Sequence, residues 1–187
     1  MIENALRYSH TLLKNTVVRG DKVIDATVGN GGDTILLATL VGQTGTVYGF
    51  DIQEQAIQMT KEKLMLTGLS EQVELYQQGH ETVADIVPEK TEIAAAIFNL
   101  GYLPKGDKSI ITQGKTTIQA LNEILLRLRK SGLVLIVVYY GHEGGKTEKE
   151  AVLTFAEQLP QESFNVLQYN FINQRNTPPF LLAIEKK

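Results

Sequence analysis

The sequence predicts an α/β domain: a seven-stranded, mostly parallel sheet with helices on both faces and an antiparallel hairpin at its C-terminal end. Three observations predict it. Short apolar runs alternate with amphipathic stretches from residue 23 to residue 140, the pattern of right-handed strand–helix–strand crossovers. The first apolar run ends in an acid and breaks into a cluster of glycines. The last two strand-like runs, residues 164–171 and 180–185, are joined by only residues 172–179. That connection is too short for a crossover helix, so these strands pair antiparallel.

The elements follow in order. Leu6, Leu12 and Leu13 on a polar segment mark a first helix that ends before the turn Arg19-Gly20-Asp21. Strand one covers residues 23–27, and the first crossover helix residues 33–41. Strand two covers 46–52, followed by an amphipathic helix over 54–66 that Gly68 terminates. Strand three covers 73–77, a short helical piece 81–87, and an apolar fourth strand 93–100. A long helix over 116–129 leads to strand five at 133–140. At 187 residues the chain is expected to form one domain, with residues 1–20 as an N-terminal helical extension and no internal repeat.

Composition narrows the chemistry. The chain has no cysteine, which excludes disulfides, thiolate metal sites and cysteine nucleophiles. Its three histidines, His10, His80 and His142, lack ligand spacing, so no metal site is expected. The N-terminus carries no basic segment followed by an apolar core, so the protein is expected to be cytoplasmic. The longest apolar run, residues 133–140 between Gly132 and Gly141, falls far short of the ~20 residues of a membrane helix and reads as a buried strand. Net charge is −3, yet residues 1–93 balance at −6 and residues 94–187 at +3. The C-terminal half is the one that can meet a polyanion, although solvated helix faces also differ in charge.

Asp25-Ala-Thr-Val-Gly-Asn-Gly-Gly-Asp-Thr34 carries the strongest signal. Gly29, Gly31 and Gly32 let a ligand approach bare backbone, and the next helix points its free N–H groups at the same place. Asp51 closes strand two, where a carboxylate can accept both hydroxyls of a ribose. Together they read as a nucleoside-cofactor site. Glycines also serve turns that bind nothing, but the placement between two strand-ending acids favours the cofactor. The spacing departs from G-x-G-x-x-G, with Thr34 in the third glycine position, which disfavours a dinucleotide and with it a nicotinamide-dependent oxidoreductase.

The acid-tipped first strand, glycine loop, ribose acid and terminal hairpin resemble a class I S-adenosylmethionine-dependent methyltransferase with its Rossmann-like seven-stranded sheet. More narrowly, the first loop with Phe98-Asn-Leu-Gly-Tyr-Leu-Pro104 and Gly141-His-Glu-Gly-Gly145 resembles a small bacterial family labelled rRNA methylases. Members of that family methylate the 5-aminomethyl group of the tRNA wobble uridine. The resemblance implies a cofactor set of Asp25, Thr27, Gly29, Asn30, Gly31, Asp33 and Thr34, then Asp51, Ile52 and Gln53, then His80 and Glu81, and Asn99. Asn99-Leu-Gly-Tyr102 resembles the Asn/Asp-Pro-Pro-Tyr/Phe motif of amine-directed methyltransferases, with Leu-Gly in place of Pro-Pro. It implies that Asn99 and Tyr102 are catalytic, the amide oxygen accepting from the target amine and the ring stacking on the base.

His142 is expected to stack on a base or take a proton, as third catalytic residue. Leu100, Tyr102, Tyr140, His142, Arg175 and Asn176 form the expected substrate set, with Lys105, Lys108 and Lys115 steering an RNA backbone. The plain alternatives are a helix-terminal histidine at position 80, a loop histidine at 142 and a polar hairpin turn at 175–176. The expected partner is the tRNA anticodon stem-loop, without membrane or metal, and the exposed first helix offers a surface for a homodimer. The same motifs fit a base amine in rRNA or a small-molecule amine as acceptor. A non-catalytic RNA-binding protein on the same fold is the remaining class.

Overall fold

The computed structural model describes residues 1–101 and 111–187. Its elements are α1 (Ala5–Thr16), β1 (Lys22–Asp25), α2 (Gly32–Val41), β2 (Thr46–Phe50), α3 (Glu54–Thr67), β3 (Val73–Tyr76), α4 (Val83–Ile86), β4 (Ile93–Leu100), α5 (Gly114–Arg127), β5 (Leu128–Val138), α6 (Gly145–Glu157), β6 (Phe164–Tyr169) and β7 (Phe180–Lys186). The seven strands form one sheet in the order β3-β2-β1-β4-β5-β7-β6. The first five run parallel, and β7 is antiparallel to both β5 and β6. The chain reverses its direction of travel across the sheet between β1 and β4. Ligand crevices in such sheets open at the carboxyl ends of the strands at this switch point.

Strand alternation sorts the core into two layers. Val23, Val47, Ile97, Leu135, Val137 and Leu181 face Leu13 of α1, Leu37 and Val41 of α2 and Leu64 of α3. Ile24, Phe50, Phe98, Ile136, Val138 and Leu182 face Val83, Leu121, Ile124, Val152 and Ala156, from α4, α5 and α6. Every one of these strand side chains is nearly inaccessible. Both layers share the one sheet, so the described chain has a common core.

The elements differ from expectation in instructive places. Helix α1 is integral to the fold, not an exposed extension. Asn4 caps it by accepting from Arg7 N at 2.8 Å, Leu13 is fully buried, and Tyr169 Oη donates to Glu3 O at 2.6 Å. Its apolar face therefore packs on the sheet. Strand β5 starts five residues early, at Leu128, and pairs it with Ile93. The register then shifts, and Leu133 pairs with Ala95, with Ser131 at φ +58° in the irregular stretch between. Helix α6 has no counterpart in the sequence pattern as read above, because the glycines that precede it dominate that segment. Among the described residues no helix is long and apolar enough to cross a membrane.

Candidate functional site

The carboxyl ends of β1, β2, β4 and β5 converge on one crevice. Strand β1 stops at Asp25, and the chain then crosses the sheet edge: Ala26 N donates to Ile97 O at 2.9 Å and Val28 N to Phe50 O at 3.0 Å. Gly31 turns into α2 with φ +80°, and a Cβ there would stand 2.6 Å from Thr60 Oγ1. Only glycine fits that turn without displacing α3. From the same helix Lys63 Nζ donates to Asn30 O at 2.6 Å, and Asn30 Oδ1 accepts from Gly32 N at 3.3 Å.

Asp51 ties the next loop to this turn. Its Oδ2 accepts from Gly29 N at 2.8 Å and its Oδ1 from Gln53 N at 2.9 Å. Each carboxylate oxygen keeps a second lone pair, and Asp51 is partly accessible. Ile52 beside it is 54% exposed, an apolar side chain held open at the crevice rim.

Asp25 is fully buried. It accepts from Thr34 Oγ1 at 2.6 Å and from Thr27 N at 3.2 Å. Burial, and then the nearby Asp33 carboxylate, push its carboxyl up from the ordinary 3.8 to about 7. Thr27 Oγ1 in turn accepts from Asn99 N at 2.7 Å, which locks the end of β4 to the first loop.

Asn99 shares its strand face with Ile97 and so points toward α1 and α2. Its Nδ2 donates to Asp33 Oδ2 at 2.6 Å, while Asp33 Oδ1 lies 2.6 Å from His10 Nε2. Tyr139, on the face of Val137, belongs to the same cluster. Burial and the charge of Asp33 both push its phenol above the ordinary value. Neither His10 nor Tyr139 is among the residues expected from sequence. Alternation along β5 was the available signal for Tyr139, since Val137 and Tyr139 share parity.

Tyr140 takes the opposite face. Its ring packs 5.8 Å from Phe180 and under Lys149 Nζ at 4.4 Å, on the face away from Asn99. Leu100 has the parity of Phe98, and its side chain is wholly buried. It can meet a substrate only through its carbonyl, which already accepts from Tyr139 N at 3.0 Å.

His80 is also interior, at 6% exposure. Its Nδ1 donates to Ala26 O at 3.0 Å, its Nε2 lies 3.4 Å from Thr117 Oγ1, and its ring meets Phe98 edge-on at 5.3 Å. Burial lowers its pKa. This placement makes His80 a brace beneath the first loop and not a side chain open to the crevice. Glu81 is partly accessible, with its carbonyl held by Gln119 Nε2 at 3.2 Å.

The brace continues through Glu148. Thr117 Oγ1 donates to Glu148 Oε1 at 3.0 Å and Thr112 Oγ1 to Oε2 at 2.6 Å, while Gly101 N donates to Thr112 Oγ1 at 2.9 Å. Burial raises the Glu148 pKa, against the lowering pull of Thr112, Thr117 and His142. The contacts of His80, Thr117, Glu148 and Thr112 thus connect the first loop, through α5 and α6, to the segment after Asn99.

His142 lies beside that segment. Its Cε1 would stand 3.7 Å from a Cβ at Gly101 and 2.9 Å from one at Gly145. A Cβ at Gly141 would stand 2.8 Å from Thr177 Oγ1, so the 141–145 loop abuts the hairpin connection carrying exposed Arg175 and Asn176. The structure therefore brings His142 to the Asn99 segment and sets the hairpin turn next to it. Lys115 is exposed on α5. Tyr102, Lys105 and Lys108 lie outside the described residues. Among the described residues no group of three His, Asp or Glu is placed to hold a metal ion.

Comparison with known proteins accords with this arrangement. Residues 47–185 match the family described as "Putative rRNA methylase", and residues 6–86 match the ubiE/COQ5 methyltransferase family. The chain is 36% identical over 193 residues to the chloroplastic tRNA (mnm(5)s(2)U34)-methyltransferase of Arabidopsis thaliana, covering 99% of this chain and 70% of the plant protein. A solved "putative rRNA-methylase" from Clostridium thermocellum is 46% identical with a TM-score of 0.97, both chains covered in full. A "putative methyltransferase" from Streptococcus mutans, solved in complex with SAH, is 45% identical with a TM-score of 0.92, again over both full chains. The chain belongs to the family described as "Putative rRNA methylase" and is an S-adenosylmethionine-dependent methyltransferase.

Proposed function

We propose that this enzyme methylates the primary amine of 5-aminomethyl(-2-thio)uridine at the tRNA wobble position, giving the 5-methylaminomethyl product. The observation that carries the reading is the fixed amide of Asn99 at the carboxyl end of β4. Asp33 can only accept, so it takes the Nδ2 end and leaves Oδ1 as an acceptor for an amine N–H. The 36% identity to a protein named for the wobble modification supports the acceptor class.

The residues present fit the cofactor. Asp51 has lone pairs for the ribose hydroxyls, Gly32 leaves backbone accessible at the α2 N-terminus beside the tight turn at Gly31, and Ile52 offers an apolar edge for the adenine. Asn30, Asp33 and Gln53 complete that lining, while Asp25, Thr27 and the buried Thr34 hold the loop from beneath. When bound, S-adenosylmethionine supplies a methyl carbon made electrophilic by its sulfonium.

The side chains then orient and deprotonate the acceptor. The amine must first lose its ammonium proton, after which its lone pair forms the new N–C bond while the electrons of the broken C–S bond stay on sulfur. Asn99 Oδ1 and the Leu100 carbonyl accept from the amine and aim that lone pair, a gain that comes largely from alignment. His142, beside Gly101, has the chemistry to take the proton. Tyr102 supplies the ring that stacks on the base. Arg175, Asn176 and Lys115 lie on exposed surface where an anticodon stem-loop can be met.

The rRNA named in the family description is the other acceptor class. Nucleoside analysis of RNA from cells lacking the protein separates the two. Accumulation of 5-aminomethyl(-2-thio)uridine in tRNA supports the proposal. Unchanged wobble nucleosides with loss of a methylated rRNA base would refute it.

A further inference from the structure

We propose that His10 is a positioning residue for methyl transfer, acting through Asp33 to fix which end of the Asn99 amide faces the reacting amine. The inference rests on the reading of Asn99 given under Proposed function and extends it to a residue of α1, outside every motif of the sequence.

The geometry is a three-member chain drawn from three elements. His10 on α1, Asp33 in the first turn of α2 and Asn99 on β4 meet through two contacts of 2.6 Å. Asp33 is 9% exposed, so its oxygens depend on protein donors in place of water. As a carboxylate it donates nothing, and the His10 nitrogen that faces it must carry the proton. His10 thus occupies Oδ1, and Asn99 Nδ2 is left with Oδ2. This division fixes both the rotation of the carboxylate and the flip of the Asn99 amide.

Asp33 already stands at a helix N-terminus, where a negative charge is favoured without any partner. The contribution of His10 is therefore directional. Without it, Oδ1 is open to water or can turn to share the Asn99 donor, and the amide loses its single orientation. His10 is itself held from behind by the docking of α1, whose Leu13 is fully buried and whose Thr16 carbonyl accepts from Arg129 Nη2 at 2.9 Å. The side chain of His10 remains 29% exposed, so its replacement leaves the hydrophobic core intact.

The test compares His10→Ala and His10→Gln with wild type, using S-adenosylmethionine and tRNA that carries 5-aminomethyluridine. His10→Ala is expected to lower kcat about tenfold to a hundredfold, the scale of a small misplacement of reacting groups, with cofactor affinity and melting temperature little changed. His10→Gln, whose terminal N–H can reach Asp33, is expected to recover most of the loss. Independently of turnover, the side-chain NH2 resonances of Asn99 in 15N-labelled protein should move on His10→Ala and return toward wild type on His10→Gln.

Unchanged Asn99 resonances in His10→Ala would overturn the inference, as would a full kcat with only cofactor affinity or melting temperature reduced. Failure of the wild type to methylate this tRNA would sink the acceptor assignment instead. The resonance comparison would then still decide whether His10 governs the amide.

Discussion

Gly29 donates its backbone N–H to Asp51 Oδ2 at 2.8 Å, joining the glycine turn after β1 to the loop after β2. The same carboxylate takes Gln53 N at 2.9 Å. Asp51 therefore shapes both loops, and in the proposed site it also offers lone pairs to a ribose. Its loss should weaken S-adenosylmethionine binding about tenfold to a hundredfold, the scale of one charge-assisted hydrogen bond at ~1.5–3 kcal/mol. Titration calorimetry of Asp51→Ala checks this, and unchanged affinity would remove Asp51 from the cofactor site.

Gly31 should tolerate no side chain. A Cβ would sit 2.6 Å from Thr60 Oγ1, and the φ of +80° costs an L residue about 1–2 kcal/mol. Gly31→Ala should lower both the melting temperature and cofactor affinity. Adding Thr60→Ala removes the two closest atoms of the collision, leaving Cβ at 3.2 Å, and with them a buried hydroxyl that has no hydrogen-bond partner among the described residues, but leaves the φ penalty. Partial recovery of stability is the expected result; full recovery would show that the backbone angle costs nothing.

The buried Asp25 makes stability depend on pH. Its carboxyl rises from 3.8 to about 7 in the fold, so the stability it confers is complete below pH 3.8 and is lost as pH climbs toward 7. The slope from one group cannot exceed about 1.4 kcal/mol per pH unit. Buried His80 acts in the opposite sense, costing stability as pH falls below 6.5. Comparison with Asp25→Asn isolates the carboxyl: wild type should lose stability relative to the variant between about pH 4 and pH 7 in urea unfolding. A constant difference across that range would mean that Asp25 does not titrate there.

Thr117 anchors the brace between the two site loops. Its Oγ1 donates to Glu148 Oε1 at 3.0 Å, both residues being buried. Thr117→Val keeps the shape and removes the donor, and should cost about 1–3 kcal/mol. A denaturation midpoint identical to wild type would show that the bond contributes nothing net.

The sheet and its hairpin were legible because apolar runs, glycine turns and the short 172–179 connection are local signals. The same holds for the turn itself, since Asp25 ends β1, Asp51 follows β2, and Gly29 and Gly31 fall between β1 and α2. What escaped depends on contacts between distant elements. His10 lacks ligand spacing in sequence, yet α1 docks it against Asp33, 23 positions away. Tyr139 and Tyr140 are alike as residues, and only the parity that pairs Val137 with α1 and α2 and Val138 with α5 and α6 tells which one faces Asn99. The burial of His80 is equally illegible, because nothing in Gly79-His80-Glu81 announces that the ring lies on Phe98. Helix α6 carries Glu148 into the interior, a residue that sequence alone would assign to a solvated face.

The central claim is that Asn99 presents its amide oxygen to an amine on a tRNA wobble uridine. Purified protein is incubated with S-adenosylmethionine and tRNA carrying 5-aminomethyluridine, and the digested nucleosides are weighed by mass spectrometry. Wild type should add one methyl group to that nucleoside. Asn99→Ala should not, although it still binds the cofactor. Equal turnover per bound cofactor in Asn99→Ala, or no methyl gained with wild type that binds S-adenosylmethionine, would contradict the account.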